Sequence, residues 1–152
     1  MPILDFLDAT TIDFSLKAGG KEDVIAELVE ILRRAGRIRN PEALVDALLE
    51  REGLGSTGIG HGVAIPHARS GELKQTVIAL GRTEAPVEFD AIDGKPTSLF
   101  FLLVAPENVG NEHLFTLAKI ARLIKDAKVR EQLMTLDSPQ AAIELIRGQE
   151  SR

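Results

Sequence analysis

Residues 98–105, Ser-Leu-Phe-Phe-Leu-Leu-Val-Ala, constrain the fold of this chain more than any other segment. An apolar run without polar alternation belongs to a strand covered on both faces. Pro106 closes the run, because proline has no N–H to continue a ladder. A strand hidden on both sides needs a layer of helices above and below it, which is the α/β arrangement. The same run is far too short to cross a bilayer.

The rest of the chain supplies those layers. Ile12, Phe14 and Leu16 alternate with Asp13 and Ser15, the period of a half-buried strand. After Gly19-Gly20, residues Val24, Ile25, Leu28, Leu32 and Ala35 recur at helical spacing, and Gly36 ends that helix. Asn40-Pro41 reads as an N-cap followed by a first-turn proline. The helix behind it carries Leu44, Val45, Leu48 and Leu49 and stops near Gly53. Short strands are expected at 77–80 and 87–89, with a turn at Asp93-Gly94. A helix from about residue 111 to 124 is expected to present Leu114, Leu117, Ala121 and Ile124 on one side. A shorter helix holds Val129, Leu133 and Met134. Ser138-Pro139 caps a last one, which Gly148 is expected to close. With no internal repeat and no linker, the expectation is a single α/β domain over 1–152, with a mixed central β-sheet flanked by helices on both faces.

Composition excludes several functions. There are 18 Lys and Arg against 23 Asp and Glu, a net charge of −5. That disfavours nucleic acid, whose phosphates demand clustered cations. The basic group Arg33, Arg34, Arg37 and Arg39 follows an acidic helix and suits the negative end of its dipole. Cysteine is absent, which removes thiol chemistry and fits a reducing compartment. Trp and Tyr are absent too, so no large aromatic platform is available for stacking bases or sugars. Met1-Pro2-Ile3-Leu4-Asp5 lacks the basic start and apolar core of a secretory leader. A cytoplasmic protein is expected, with no direct membrane insertion.

Chemistry concentrates between residues 51 and 67. Five glycines fall within residues 53–62. Such a stretch makes a poor helix or strand interior, but its backbone amides can cradle an anion. It is not a Walker loop, since no Gly-Lys-Ser/Thr follows, and its spacing does not fit a dinucleotide fingerprint. Val63-Ala64-Ile65 then runs into Pro66, which holds Ile65 extended. His67 therefore lies just past the end of an extended segment. His61, His67 and His113 are the only histidines in the chain. A neutral imidazole is a competent nucleophile near pH 7 and can carry a phosphoryl group. A metal hydrolase built on the three is disfavoured, because no helical His-x-x-x-His pair exists.

The stretch from Gly58 to Ala68, Gly-Ile-Gly-His-Gly-Val-Ala-Ile-Pro-His-Ala, resembles the active-site signature of phosphotransferase-system enzyme IIA domains of the fructose/mannitol class. Its approach, Arg51-Glu52-Gly53-Leu54-Gly55-Ser56-Thr57, is similar to the nitrogen-related regulatory branch. The resemblance continues through Phe89-Asp90-Ala91-Ile92-Asp93-Gly94-Lys95-Pro96, Leu102-Leu103-Val104-Ala105-Pro106, Glu112-His113-Leu114 and Leu117-Ala118. It covers nearly the whole chain in order. Ala68 stands where many relatives have glycine.

The resemblance implies that His67 is the phosphorylated residue, that His113 is the second active-site histidine, and that Arg51 lines the site. Phosphoryl transfer spreads charge over equatorial oxygens, which an imidazole N–H, an arginine fork and loop amides would stabilise. Gly55, Ser56, Thr57 and Gly58 form the expected phosphate-binding loop, although Ser56 and Thr57 equally suit a role in fixing the turn. Ile59, Val63 and Ile65 are expected to form an apolar rim on which a partner docks. His61 inherits no role. No cofactor and no metal are expected.

Two functions remain open from these residues. One is a regulator in the nitrogen-related manner, phosphorylated by the histidine carrier HPr or a paralogue and acting on a target protein. The other is a transport component passing phosphate to an enzyme IIB for a fructose- or mannitol-like sugar. The Gly-Ser-Thr-Gly-Ile-Gly approach favours the first.

Overall fold

The computed structural model describes residues 2–151. In chain order its strands are β1 (Ile12–Leu16), β2 (Gly58–Gly60), β3 (Val63–Ala64), β4 (His67–Ser70), β5 (Val77–Val87) and β6 (Thr97–Pro106). Its helices are α1 (Lys21–Arg34), α2 (Pro41–Gly53), α3 (Glu112–Lys125), α4 (Ala127–Thr135) and α5 (Pro139–Glu150). The strands form one mixed sheet in the order β1-β5-β6-β3-β2, with β4 also pairing to β6. β1 runs parallel to β5, and both β3 and β4 run parallel to β6; β5 and β6 are antiparallel.

The apolar run becomes β6, and it feeds two cores at once. Leu99, Phe101 and Leu103 point to one face, where α3, α4 and α5 contribute Ile120, Leu123, Val129, Leu133, Ile143 and Ile146. Phe100, Leu102 and Val104 point to the other, against Val24, Ile25, Leu28 and Leu32 of α1 and Leu44 and Leu48 of α2. Fully burying such a side chain contributes roughly 1.5–3 kcal/mol, which is why a residue run with no polar face is stable only between two layers. The expected architecture of a mixed sheet with helices on both faces is what the chain adopts.

Helix termini follow their local chemistry. Asn40 Oδ1 accepts from Ala43 N at 3.2 Å, and Ser138 Oγ accepts from Ala141 N at 3.2 Å. Gly36 takes φ +74°, the left-handed conformation that ends α1.

Four expectations are corrected. Val87 closes β5 rather than opening a separate strand, because β5 continues past a register shift between Arg82 and Val87. Gly58–Gly60, expected to be irregular, forms a short strand. Gly148 lies inside α5. The helix continues because the Glu150 carboxylate accepts from Ile3 N at 2.7 Å and Leu4 N at 3.2 Å, an anchorage that offsets the ~1 kcal/mol cost of a helical glycine.

The fourth concerns α3. It buries His113, Thr116, Ile120, Leu123 and Ile124, while Leu114 and Ala121 are exposed and Leu117 is half-buried. The helix is turned by about one residue, roughly 100°, from the expected face. The buried row is also spaced for a helix. Burial of Thr116 is eased because its hydroxyl donates to Glu112 O at 2.9 Å within the helix.

Candidate functional site

β3 and β4 lie along β6 in one register, with Val63 opposite Leu99 and His67 opposite Leu103. Ile65-Pro66 interrupts the ladder between them. Ile65 N donates to Thr57 O at 3.0 Å, and Leu103 N donates to Pro66 O at 2.9 Å. The Ile65 carbonyl, left out of the ladder, accepts from His67 Nδ1 at 2.7 Å. His67 is therefore the first residue of β4, separated from β3 by Ile65 and Pro66.

Side chains two apart on a strand share a face. Val63 and Ile65 point into the core beneath α3, so His67 and Arg69 point toward α3 as well. From α3, His113 meets His67 with ring centroids 5.5 Å apart and ring planes at 54°. His113 is buried, at 7% exposure, and its Nδ1 has no hydrogen-bond partner among the described residues. Arg69 donates to Pro106 O and Glu107 O, each at 3.4 Å, and to Gly110 O at 3.0 Å. It thereby ties β4 to the segment that launches α3.

Both histidines are held neutral at pH 7. Burial lowers the His67 pKa, and the nearby Arg51 guanidinium lowers it further against the opposing pull of the Ile65 carbonyl and Glu52. His113 is pushed down to about 4, chiefly by burial and then by repulsion from His67 and Arg69. A carbonyl oxygen only accepts, so the His67 proton sits on Nδ1 and the lone pair on Nε2.

Arg51 lies in the last turn of α2 and donates to Gly55 O at 2.8 Å. The residues after it are tied to the protein itself. Gly55 N donates to Glu52 O at 3.1 Å. Thr57 N donates to Glu52 Oε1 at 3.1 Å, and the Thr57 hydroxyl donates to Glu52 Oε2. Gly58 N donates to Ser56 Oγ at 3.0 Å, whose hydroxyl donates to Phe89 O at 2.7 Å. Of the expected cradle, the amides of Gly55, Thr57 and Gly58 and the hydroxyls of Ser56 and Thr57 are thus already engaged in holding the turn.

The expected apolar rim is corrected in part. Val63 and Ile65 are buried in the core and offer nothing to a partner. Ile59 is 42% exposed, and the other large exposed apolar side chains among the described residues are Leu54, Ile92, Leu114 and Phe115. All belong to segments that build the site: Leu54 caps α2, Ile92 N bonds Gly58 O at 3.2 Å, and Leu114 and Phe115 follow His113.

Two residues at the site were not singled out from sequence. Glu52 falls four residues after Leu48 and eight after Leu44, on the buried row of α2, which marks it as a buried carboxylate. Arg69 is two residues after His67 on a strand, so it shares its face. His61, to which no role was given, is exposed at the β2–β3 turn with φ +58°. Among the described residues no three His, Asp or Glu side chains converge as metal ligands.

The mixed sheet thus carries a half-buried histidine opposite a second, buried one. Residues 5–149 match the family model PTS_EIIA_2, described as "Phosphoenolpyruvate-dependent sugar phosphotransferase system, EIIA 2", and the chain belongs to that family. The chain is 38% identical over 143 residues to a nitrogen regulatory protein of Bradyrhizobium diazoefficiens, covering 93% of this chain and 92% of the relative. It is 37% identical over 146 residues to the fructose-specific EIIABC component of Bacillus subtilis, covering 96% of this chain but only 23% of that longer protein. The crystal structure of nitrogen regulatory protein IIA-Ntr from Neisseria meningitidis superposes with a TM-score of 0.87 at 39% identity, covering 93% of this chain and 97% of the other. Among the described residues no helix is long and apolar enough to cross a membrane.

Proposed function

We propose that the protein carries a phosphoryl group on His67 Nε2, taken from HPr or its paralogue in the cytoplasm, and serves mainly as a nitrogen-related regulator. The observation that carries this reading is the hydrogen bond from His67 Nδ1 to the Ile65 carbonyl, which leaves Nε2 as the free nucleophile opposite His113.

In the transfer, the Nε2 lone pair forms a bond to phosphorus while the donor's N–P bond breaks and returns its electron pair to the donor nitrogen. The Nδ1 proton stays in place, and the Ile65 carbonyl stabilises the positive charge that grows on the ring. Charge on the equatorial oxygens is met by His113, whose buried Nδ1 gains a partner, and by Arg51, whose fork has N–H groups beyond the one given to Gly55. The loop of Gly55, Ser56, Thr57 and Gly58 acts as a scaffold for these groups. The apolar rim of Leu54, Ile59, Ile92, Leu114 and Phe115 receives the donor. One EIIA type-2 unit spanning the chain is supported by the family match over residues 5–149.

Regulation is favoured by the likeness to IIA-Ntr, which is 39% identical with a TM-score of 0.87. The second reading, a transport IIA that passes phosphate to a fructose- or mannitol-type IIB, is supported by the 37% identity to the fructose component. Incubation with phosphoenolpyruvate, enzyme I and HPr, followed by peptide mapping, tests the shared core of both. The expected product is an acid-labile, alkali-stable adduct on His67. Label on Ser56 or Thr57 with His67 unmodified would overturn it. Transfer onward to an added fructose-type IIB at a rate matching its own IIA would favour transport.

A further inference from the structure

Glu52 is a carboxylate at 7% exposure, next in sequence to Arg51 but facing inward. Its oxygens accept from the amide and hydroxyl of Thr57, and Lys21 Nζ lies 3.1 Å from Oε1. Lys21 in turn sits 4.8 Å over the Phe89 ring. A buried carboxylate is costly unless paired and hydrogen-bonded, and here both conditions are met. A charged pair at the root of a glycine-rich turn is more than the turn itself requires, since Gly55 and Ser56 are already held by other bonds.

The bonds beyond Thr57 show what the pair holds. The Thr57 carbonyl accepts from Ile65 N at 3.0 Å, at the gap in the ladder before Pro66. The Ile65 carbonyl then accepts from His67 Nδ1 at 2.7 Å. Three hydrogen-bonded steps therefore run from Glu52 through Thr57 and Ile65 to the imidazole. Pro66 cannot donate, so the extended segment at 65–66 is held on this side by Thr57 rather than by a neighbouring strand.

We propose that Glu52 is a positioning residue: by fixing Thr57 it fixes the Ile65 carbonyl, and so selects the His67 tautomer and ring orientation that present Nε2. Glu52 touches no reacting atom. Its influence on the reaction passes through backbone geometry, and the inference rests on the proposed role of His67 as acceptor only for its kinetic consequence. Lys21 completes the device by pairing the charge, which joins the start of α1 to the turn that feeds the site.

The test compares Glu52→Ala, Glu52→Gln and Thr57→Val in the full chain. Long-range nitrogen–proton NMR reads the His67 tautomer directly, without any phosphoryl donor. Wild type is expected to show one dominant form protonated on Nδ1. Glu52→Ala should give a mixture of tautomers and a slower phosphorylation, on the order of a hundredfold for a misplacement of about 1 Å. Glu52→Gln keeps an acceptor for Thr57 N and should restore the wild-type tautomer. Thr57→Val removes one bond to the carboxylate without opening a cavity, and should show an intermediate mixture if Glu52→Ala does not fold. A merely structural Glu52 would lower the melting temperature yet leave the tautomer of the folded protein unchanged. A single Nδ1–H form in folded Glu52→Ala, or in Thr57→Val where Glu52→Ala does not fold, overturns the proposal. A shifted tautomer in a protein never phosphorylated on His67 overturns the proposed function and leaves the positioning role standing.

Discussion

The His113 and His67 rings lie with centroids 5.5 Å apart, and the buried His113 Nδ1 has no hydrogen-bond partner among the described residues. An unpaired polar atom costs stability in the resting protein, on the order of 1–3 kcal/mol. Such a cost is consistent with a group whose partner arrives only with the ligand.

His67→Ala and His113→Ala should consequently differ in kind. The first removes the attacking nitrogen and should show no phosphorylation at any time. The second should still be phosphorylated, roughly a hundredfold more slowly, the usual cost of one preorganised donor. Its phosphorylated form should also return the group to the carrier more slowly, since both directions share one transition state. A radiolabel time course, after circular dichroism confirms folding, measures both.

The same burial makes stability depend on pH. An unfolded histidine titrates near 6.5, whereas folded His113 is held down to about 4. Between those values the unfolded chain binds the extra proton, so stability should fall as pH drops from 6.5 toward 4 and be unaffected by this group above 6.5. The full loss amounts to about 3 kcal/mol, with His67 adding in the same direction. Urea denaturation across this range should show a shallower slope for His113→Asn than for wild type.

Arg69 predicts a coupled effect on α3. Arg69→Met keeps the stem but removes the bonds to the carbonyls of Pro106, Glu107 and Gly110. Amide exchange over residues 107–112 should accelerate. The His113 pKa should rise, because a repelling cation is gone. NMR titration of the His113 ring and hydrogen-exchange mass spectrometry read the two effects.

Partner docking should separate from folding. Ile92 is 84% exposed and Phe115 66% exposed, so Ile92→Asp and Phe115→Asp should leave the melting temperature nearly unchanged. Each should slow transfer from the donor by roughly tenfold or more, as loss of an interface anchor does. Val63→Asp, by contrast, places a charge in the core and should unfold the protein.

Much of the architecture could be read in advance because its signals are local. The unbroken apolar stretch of β6, the Asn40-Pro41 cap and the left-handed Gly36 each decide their element without outside help. The α3 face could not be read this way. Leu114, Leu117, Ala121 and Ile124 form one helical row and His113, Thr116, Ile120 and Leu123 another, and only the packing against β6 chooses between them. Val63 and Ile65 neighbour His67 in sequence, which suggests a shared rim. Strand parity instead turns them into the core while Ile59, on β2, stays outside. The role of Glu52 is not legible in the sequence, because it lies in contacts to Thr57 and through it to Ile65 that spacing alone does not show.

The bonds from Ile3 N and Leu4 N to the Glu150 carboxylate hold the first and last turns of the described chain side by side. A unit whose ends meet can be joined to other polypeptides through one short seam, or closed there and reopened at a surface turn, with its sheet order intact. This geometry suits a fold that occurs both nearly by itself, as in the nitrogen regulatory relative, and as 23% of a longer fructose component.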